Sequence, residues 1–347
     1  MNDIPEISFR IVTAKRLGDW LADIQALLAV YDLTVDENIT HFVLGLRNRQ
    51  LVACAGLDQN IIKCVAIDPA MRNAQISLPL IQEVVQLAAD KGYYHLFLYT
   101  KPENQDFFKG CGFYPIMTVP DKALLMENTP VGIGHYCQEL AQAKQPGARI
   151  GAIVLNANPF TLGHRYLVEE AARACDWLHV FVVKEDLSTF KYIDRLRLVR
   201  QGIEGIRKVS VHEGSPYMIS KATFPTYFIK EKEEVGSVST AMDLLIFRDY
   251  IAPALDITHR YVGTEPCCQV TKQYNEDMKY WLQDAQVSKH PSIEVVEVER
   301  RRLNGSELGS ELISASAVRK ALSEGDFALA KSMVPATTWD FLKQQYT

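Results

Sequence analysis

The sequence predicts an α/β protein of two domains, a mixed α+β domain followed by a domain built on a doubly wound parallel sheet. The chain has 347 residues, more than a single hydrophobic core usually serves. A polar segment with a Pro-Gly turn signal, residues 141–149, lies near its middle. Beyond that segment, strand-type apolar runs alternate with helix-type periods, the pattern of repeated βα units. We therefore predict domains at 1–145 and 146–347.

The first domain is predicted to contain an antiparallel meander. Strand-type runs at 40–46, 51–57 and 61–67 are joined by short turns, which favours hairpin connections. A strand at 7–12 and a helix at 20–31 precede the meander. The elements predicted after it are a helix at 76–89, a strand at 94–99, a short helix at 103–109 and closing strands at 113–118 and 123–126.

The second domain alternates strands and helices throughout. The predicted strands are 150–155, 179–184, 209–213, 260–263 and 293–298. The predicted helices are 164–175, 194–202, 241–251, 270–281 and 316–323. Right-handed crossovers would put helices on both faces of a parallel sheet, whose ligands bind beyond the carboxyl ends of the strands.

Composition excludes several classes of protein. The formal net charge of −5 argues against general nucleic-acid binding, which usually shows a basic surplus. No apolar run approaches the roughly 20 residues that cross a bilayer, and the first ten residues lack the apolar core of a signal peptide. The seven cysteines show no Cys-x-x-Cys spacing. We expect a cytoplasmic protein with reduced thiols, no nucleic-acid or membrane partner and no metal site of its own.

Residues 156–164 form the most informative segment, because they join a predicted buried strand to a predicted helix. Such a turn exposes backbone N–H groups at a helix start, where the helix dipole adds partial positive charge. Gly163 would let a phosphate approach the backbone, and His164 could donate to it. The alternative for His164 is a helix-capping surface imidazole. The other residues expected to line this phosphate site are Asn158, Pro159 and Phe160.

A second segment, residues 313–319, has a similar character. Ser314 or Ser316 can cap the helix that follows, which leaves N–H groups for phosphate oxygens. Arg319 on that helix can reach a phosphate with its planar fork. The alternative is that the serines only cap the helix and the arginine is a solvated charge.

These two segments resemble the paired signatures of the nucleotidyltransferase superfamily, whose domain is Rossmann-like. Thr161-Leu162-Gly163-His164 is similar to its Thr/His-x-Gly-His signature, and residues 313–319 are similar to its Ile-Ser-Ser-Thr-x-x-Arg signature. The resemblance implies that ATP binds here with Mg²⁺. It also implies that His164 stabilises charge at the α-phosphate, with Thr161 in the place of a first histidine.

Three further stretches contain charged or loop residues near the predicted carboxyl ends of the strands or on the helix that follows. Lys184, at the end of the second predicted strand, could neutralise a phosphate or the second substrate, or could be a solvated strand-end lysine. Arg195, Arg197 and Arg200 are interpreted as a solvated or ion-paired helix face. The stretch at the end of the fourth strand resembles the superfamily's adenine and ribose loop. This resemblance implies that Gly263, Thr264 and Glu265 contact the nucleotide.

Residues 65–113 resemble the acyl-CoA core of the GNAT acetyltransferases. The similar features are Arg72, a following long helix, and the segment Phe107-Phe108-Lys109-Gly110-Cys111-Gly112-Phe113. In the loop of this family that binds pyrophosphate, Gln75 replaces a small residue, and its side chain should crowd a phosphate. Ordinary acetyl-CoA binding is therefore disfavoured, which leaves a pantetheine-like arm, a carrier protein or a scaffolding role open.

The combination of both domains resembles the citrate lyase ligase family over nearly the whole chain, most closely at 151–167, 217–225 and 261–266. The resemblance implies that ATP and acetate give acetyl-adenylate and pyrophosphate. The acetyl group would then pass to the thiol of a dephospho-CoA-derived arm on the citrate lyase acyl carrier protein. Tyr217, Lys221 and Tyr227 are candidate contacts for acetate or the arm, with packing or solvation as the alternative.

Two other functions stay open on the sequence. One is a small-molecule adenylyltransferase of the phosphopantetheine or nicotinate mononucleotide type. The other is a GNAT acetyltransferase with a nucleotide-sensing domain. The sequence contains no clear Ser-His-Asp or Cys-His arrangement, which agrees with a reaction that needs no protein nucleophile.

Overall fold

The computed structural model describes residues 7–71, 75–184, 188–218, 232–264, 269–284, 286–299 and 312–346. By the contacts that the chain makes with itself, these residues divide into two compact units. The first contains 7–135 with 232–242, and the second contains 136–218 with the described residues from 243 onwards. The boundary predicted after residue 145 stays a prediction. Within the described ranges, no helix combines the length and apolar character that a membrane span requires.

The first unit is built on a seven-stranded sheet. Its strands are β1 (Ser8–Thr13), β2 (His41–Arg47), β3 (Gln50–Asp58), β4 (Ile61–Ile67), β5 (Phe97–Thr100), β6 (Tyr114–Val119) and β7 (Ala123–Glu127). They lie in the order β1-β2-β3-β4-β5-β7-β6. The predicted meander is present, since β2, β3 and β4 pair antiparallel in succession. The helices of this part of the chain are α1 (Trp20–Ala29), α2 (Ser77–Asp90) and α3 (Gln105–Gly110).

Helix α2 shows why the periodicity of the sequence was informative here. Leu80, Val84 and Leu87, three or four residues apart, are all buried. They join a core that includes Val43 and Phe113. Each such side chain stabilises the fold by about 1.5–3 kcal/mol relative to its exposed state, so the helix is held by this face.

The sheet of the first unit opens between its two parallel strands. Strands β4 and β5 pair only at Ile61 with Phe97 and at Ile62 with Leu98. Beyond these two pairs a cavity of about 480 Å³ is lined by both strands and by Phe107 and Phe108 of α3.

The second unit contains the predicted parallel sheet. Its strands are β8 (Ile150–Leu155), β9 (Trp177–Val182), β10 (Val209–Glu213), β11 (His259–Gly263) and β12 (Glu294–Val298). The order is β10-β9-β8-β11-β12, and every neighbouring pair is parallel. The doubly wound α/β prediction is therefore confirmed.

The remaining helices follow in chain order, and several differ from the predictions. They are α4 (Gly132–Ala141), α5 (Leu162–Ala174), α6 (Tyr192–Gly202), α7 (Lys232–Ile246), α8 (Ala252–Leu255), α9 (Gln269–Gln283), α10 (Ala315–Ser323), α11 (Phe327–Ser332) and α12 (Ala336–Tyr346). The helix predicted at 241–251 begins earlier, and it continues through a π-helical turn into α8. Helices α4, α11 and α12 were not predicted. Helices this short gain most of their stability from packing. Helix α12, for example, contributes Leu342 to a buried cluster that also contains Val318 and Leu322 of α10.

The second sheet also opens between two parallel strands. Strands β8 and β11 pair only at Gly151 with His259 and at Ala152 with Arg260. Pairing stops there, although β8 runs on to Leu155 and β11 to Gly263. The direction of strand order reverses at this point, where open α/β sheets form a ligand crevice.

Two histidines meet inside the second sheet. His179 on β9 is fully buried, and its Nδ1 lies 2.8 Å from Nε2 of His212 on β10. The ring of Phe181 stacks on His212 at a centroid distance of 4.8 Å. Burial disfavours the charged imidazolium and lowers the pKa of each histidine to about 4. Both rings are therefore neutral near pH 7.

The histidine pair should make the protein less stable in mild acid. The unfolded chain takes up protons on these side chains near pH 6.5, whereas the folded protein resists protonation until about pH 4. The free energy of unfolding should therefore fall as the pH drops through this window. Urea denaturation across the window measures the fall, which should be smaller in His179→Gln, whose side chain is neutral at every pH. An equal fall in both proteins would contradict the prediction.

Candidate active site

The turn after β8 ends in a reciprocal cap on α5. Thr161 is the N-cap residue, and its hydroxyl accepts the N–H of His164 at 3.3 Å. In return, the N–H of Thr161 donates to Nδ1 of His164 at 3.0 Å. Because Nδ1 accepts, a neutral ring carries its proton on Nε2. Capping therefore engages Nδ1 of His164 and fixes the tautomer of the neutral ring. A role of this histidine in capping is compatible with a role of Nε2–H as a donor.

The residues just before His164 support it from inside the protein. The ring of Phe160 is fully buried and stacks beneath the imidazole at a centroid distance of 5.6 Å. Pro159 is also buried, and Thr161 is only 1% exposed. The Thr161 hydroxyl lies 3.0 Å from Nδ1 of His164. In this arrangement the three side chains act by holding the turn and the histidine, and Asn158 before them is half-buried.

Gly163 is in close contact with the second signature. A Cβ atom added to Gly163 would lie 2.9 Å from the backbone carbonyl oxygen of Ile313. A side chain at this position would therefore push the start of α10 away from the start of α5. The need for glycine follows from this approach of two backbones, in addition to any approach of a phosphate.

Arg319 links the two signatures directly. Its Nη1 donates to the carbonyl of Asn158 at 2.5 Å, and its Nη2 donates to the Ser316 hydroxyl at 3.3 Å. Of the two candidate caps, Ser314 is the one used, since its hydroxyl accepts the N–H of Ala317 at 3.0 Å. Ser316 is exposed in the first turn of α10. The structure thus joins segments that are about 150 residues apart in the chain.

Several backbone N–H groups remain available where these helices begin. In α5, Leu162 donates to the carbonyl of Met333 and His164 donates to Thr161. The N–H groups of Gly163, Ala315 and Ser316 have no acceptor in the described part of the chain. Unpaired N–H groups at helix starts, with the dipoles of two helices behind them, are suited to an anion.

The other predicted site residues lie at the same edge of the sheet or outside the described ranges. Lys184 is exposed two residues beyond the end of β9, and its Nζ lies 6.0 Å from the centre of the Tyr192 ring. Gly263 ends β11, and the N–H of Thr264 donates to the carbonyl of Val298 at 2.8 Å. The predicted residues outside the described ranges are Arg72, Lys221, Tyr227 and Glu265.

Tyr217 is only 3% exposed, and its ring packs 5.4 Å from that of Tyr136. Burial raises the pKa of Tyr136 to about 12. Packing is therefore one established role of Tyr217.

The prediction for Arg195 was wrong, whereas that for its neighbours is confirmed. Arg197 pairs with Asp194 and Arg200 pairs with Glu213 on the surface. Arg195 is fully buried and bonds the carbonyls of Asn156, Val183 and Phe190. The sequence held a signal for this, because position 195 falls on the same helix face as the buried residues 192, 196, 199 and 202.

No group of three or more His, Cys, Asp or Glu side chains in the described ranges could hold a metal ion.

The fold and this edge of the sheet define a class: a two-domain α/β enzyme with an acetyltransferase-like unit and a nucleotidyltransferase-like unit. Residues 9–113 match the acetyltransferase (GNAT) family, and residues 150–342 match the citrate lyase ligase C-terminal domain. The chain belongs to the citrate lyase ligase family, and it is an enzyme of the ligase class.

The relatives match almost from end to end. The citrate (pro-3S)-lyase ligase of Escherichia coli K12 is 47% identical over 323 residues, 93% of this chain and 90% of its own. The ligase of Klebsiella pneumoniae is 47% identical over 92% of each chain, and that of Haemophilus influenzae is 46% identical over 93% and 95%. Among solved structures, Escherichia coli ElaA matches 36% of this chain and 100% of its own. Its TM-score of 0.31 and identity of 18% are too low to support an argument.

Gly163→Ala should destabilise the protein by about 1–3 kcal/mol, because the new Cβ meets a backbone carbonyl that cannot turn aside. Gly134 is a matched control, since it lies within α4 with nothing within 4 Å of an added Cβ. Gly134→Ala should stabilise by about 0.5–1 kcal/mol through helix propensity. Urea denaturation of both variants measures the difference. Equal stabilities would show that α5 and α10 do not need this approach.

Proposed function

We propose that this chain activates citrate lyase by acetylating the thiol of the dephospho-CoA-derived arm on its acyl carrier protein. ATP and acetate would first give acetyl-adenylate and pyrophosphate. The observation that carries the proposal is the junction of the two signatures. Arg319 bonds the Asn158 carbonyl at 2.5 Å, and Gly163 lies against Ile313.

The first step suits these groups. A carboxylate oxygen of acetate attacks the α-phosphorus of ATP, and the bond from that phosphorus to the oxygen bridging the β-phosphate breaks. Negative charge moves onto pyrophosphate. Its stabilisation is the task of Nε2–H of His164, the cations of Arg319 and Lys184, and the unpaired N–H groups at the two helix starts. Ser314 and Ser316 support this edge as the cap of α10 and the partner of Arg319.

The nucleotide base and ribose would lie across the opening between β8 and β11. Gly263 and Thr264 stand at the end of β11, on the far side of that opening from the turn at 156–161. Mg²⁺ supplies charge neutralisation on the phosphates when bound with ATP. Acetate would then approach from the β9 side, where Lys184 is exposed.

In the second step the carrier thiolate attacks the acyl carbon of acetyl-adenylate. A C–S bond forms, the C–O bond to AMP breaks, and AMP leaves. The cavity between β4 and β5 is our candidate for the thiol arm, because most of its wall is apolar and the parted strands offer unpaired backbone to the amides of such an arm. Gln75 argues against ordinary acetyl-CoA as the ligand of this unit, since it is a non-glycine residue at φ 49° where the GNAT pattern has a small one.

The test of the first step is acetate-dependent exchange of labelled pyrophosphate into ATP. Exchange should require acetate, ATP and Mg²⁺, and should be repeated with deacetylated citrate lyase in case the carrier is needed. No exchange in either case would refute the proposal. Exchange with phosphopantetheine or nicotinate mononucleotide in place of acetate would support an adenylyltransferase. ATP-independent transfer from acetyl-CoA would support the acetyltransferase alternative.

His164→Ala should lower kcat for pyrophosphate exchange by about 100- to 1,000-fold, because it removes a donor aimed at developing charge. His135→Ala is the matched control, since His135 is exposed on α4 and should exchange at the wild-type rate. Initial rates at saturating ATP and acetate measure both. A wild-type rate for His164→Ala would remove this residue from the mechanism.

Ala66→Leu should separate the two steps. Ala66 lines the cavity between β4 and β5 and is only 3% exposed, so a larger side chain would fill space that the thiol arm needs. Pyrophosphate exchange should persist in this variant, while transfer to the carrier thiol should fall at least about tenfold, as loss of a well-positioned acceptor does. Unchanged transfer would argue that the arm binds elsewhere.

A further inference from the structure

Arg195 of α6 bonds residues after β8, after β9 and just before its own helix. Its Nη1 donates to the backbone carbonyl of Asn156 at 2.6 Å and to the Oδ1 of that residue at 2.8 Å. The same nitrogen lies 3.1 Å from the carbonyl of Val183, and Nε donates to the carbonyl of Phe190 at 3.1 Å. The guanidinium is fully buried. These bonds tie the end of β8, the end of β9 and the approach to α6 to one side chain.

Each of these segments continues directly into a group that the proposed reaction uses. Asn156 begins the turn that ends at His164. The carbonyl of Val183 is part of the peptide bond to Lys184. The N–H of Phe190 donates to Oδ1 of Asn158 at 3.1 Å, and the carbonyl of Asn158 is in turn the acceptor of Arg319.

The geometry requires the guanidinium fork in particular. Its N–H groups point in fixed, different directions: Nη1 reaches the residues after β8 and β9, while Nε reaches the carbonyl of Phe190. A lysine keeps the charge but offers a single nitrogen on a flexible stem. The contacts described here depend on where the donors point, and the charge alone would not reproduce them.

We propose that Arg195 is a positioning residue for the nucleotidyl-transfer step. The ladder already pairs β8 and β9 as far as Leu155 and Val182, and Arg195 holds the residues just beyond these ends, Asn156 and Val183, so that His164 and Lys184 face the same phosphate chain. This inference rests on the proposed function, because the site that it positions is the one proposed for ATP.

The test compares two buried arginines of the same unit in the full-length chain. Arg248 is 1% exposed and bonds the carbonyls of Trp281 and Asp284 at 2.8 and 2.7 Å, at the C-terminal end of α9, which carries none of the proposed site groups. Arg195→Lys should lower kcat for acetate-dependent pyrophosphate exchange by about 10- to 100-fold, the effect of misplacing reacting groups by about 1 Å. Its KM for ATP should change less than kcat. Arg248→Lys should lose thermal stability while keeping its kcat.

A milder variant covers the case in which Arg195→Lys does not fold. Asn156 is exposed, and Asn156→Ala removes the 2.8 Å bond to Arg195 and a 3.3 Å bond to the Ser188 hydroxyl. It should lower kcat by about three- to tenfold, less than Arg195→Lys, because the other bonds of Arg195 remain. Ser188→Ala removes only the second bond and should leave kcat unchanged.

The outcomes separate this inference from the proposed function. A wild-type protein without exchange would refute the function, and NMR of the His164 ring would then decide on Arg195. Arg195→Lys should shift the ring resonances of His164, and Arg248→Lys should not. If the two lysine variants have equal kcat, or leave those resonances equally unmoved, Arg195 has a structural role only and the inference is overturned.

Discussion

The candidate site depends on holding one short irregular turn, residues 156–161, in a single shape. This turn lies between a strand and a helix, so its carbonyls have no partner in a regular ladder. Two arginines supply partners for two of these carbonyls, Arg195 at Asn156 and Arg319 at Asn158. One is fully buried and lies within the adjacent βα unit, whereas the other arrives on α10 from the far end of the chain. The orientation of His164 follows from this double restraint together with the cap at Thr161.

The two units use the same structural device at different places. In each sheet, two parallel strands pair for two residues and then part, β4 from β5 and β8 from β11. Parted strands leave room for a ligand and expose unpaired backbone groups toward it, without any side chain having to be removed from the core. In the first unit the opening is a cavity of about 480 Å³, and in the second it lies beside the helix starts.

The sequence predicted the regular parts of the fold better than the details of the site. Strand and helix periods located the sheets because each element buries one periodic face, as α2 does. Helices α4, α11 and α12 escaped prediction because they owe their existence to packing rather than to length or propensity. The sequence assigned Arg319 to phosphates, and the structure shows a bond from Arg319 to the carbonyl of Asn158 that no sequence pattern indicated. Phe160 and Arg195 are buried. Whether a polar or aromatic side chain on a helix or turn faces solvent depends on tertiary neighbours, and Arg195 was misassigned because charge was given more weight than its position on the buried face.

The contact between Asn158 and Arg319 spans 161 positions of the chain. Loop closure over such a distance comes late, after the intervening strands have found their places. During synthesis the chain emerges from its amino end, so the first signature is present long before the second is made. A nascent or truncated chain that stops before α10 would contain a capped His164 and a formed β8, and yet it would have no assembled anion site. Assembly of this edge of the sheet therefore waits for the synthesis of α10, whatever the order in which the other elements form.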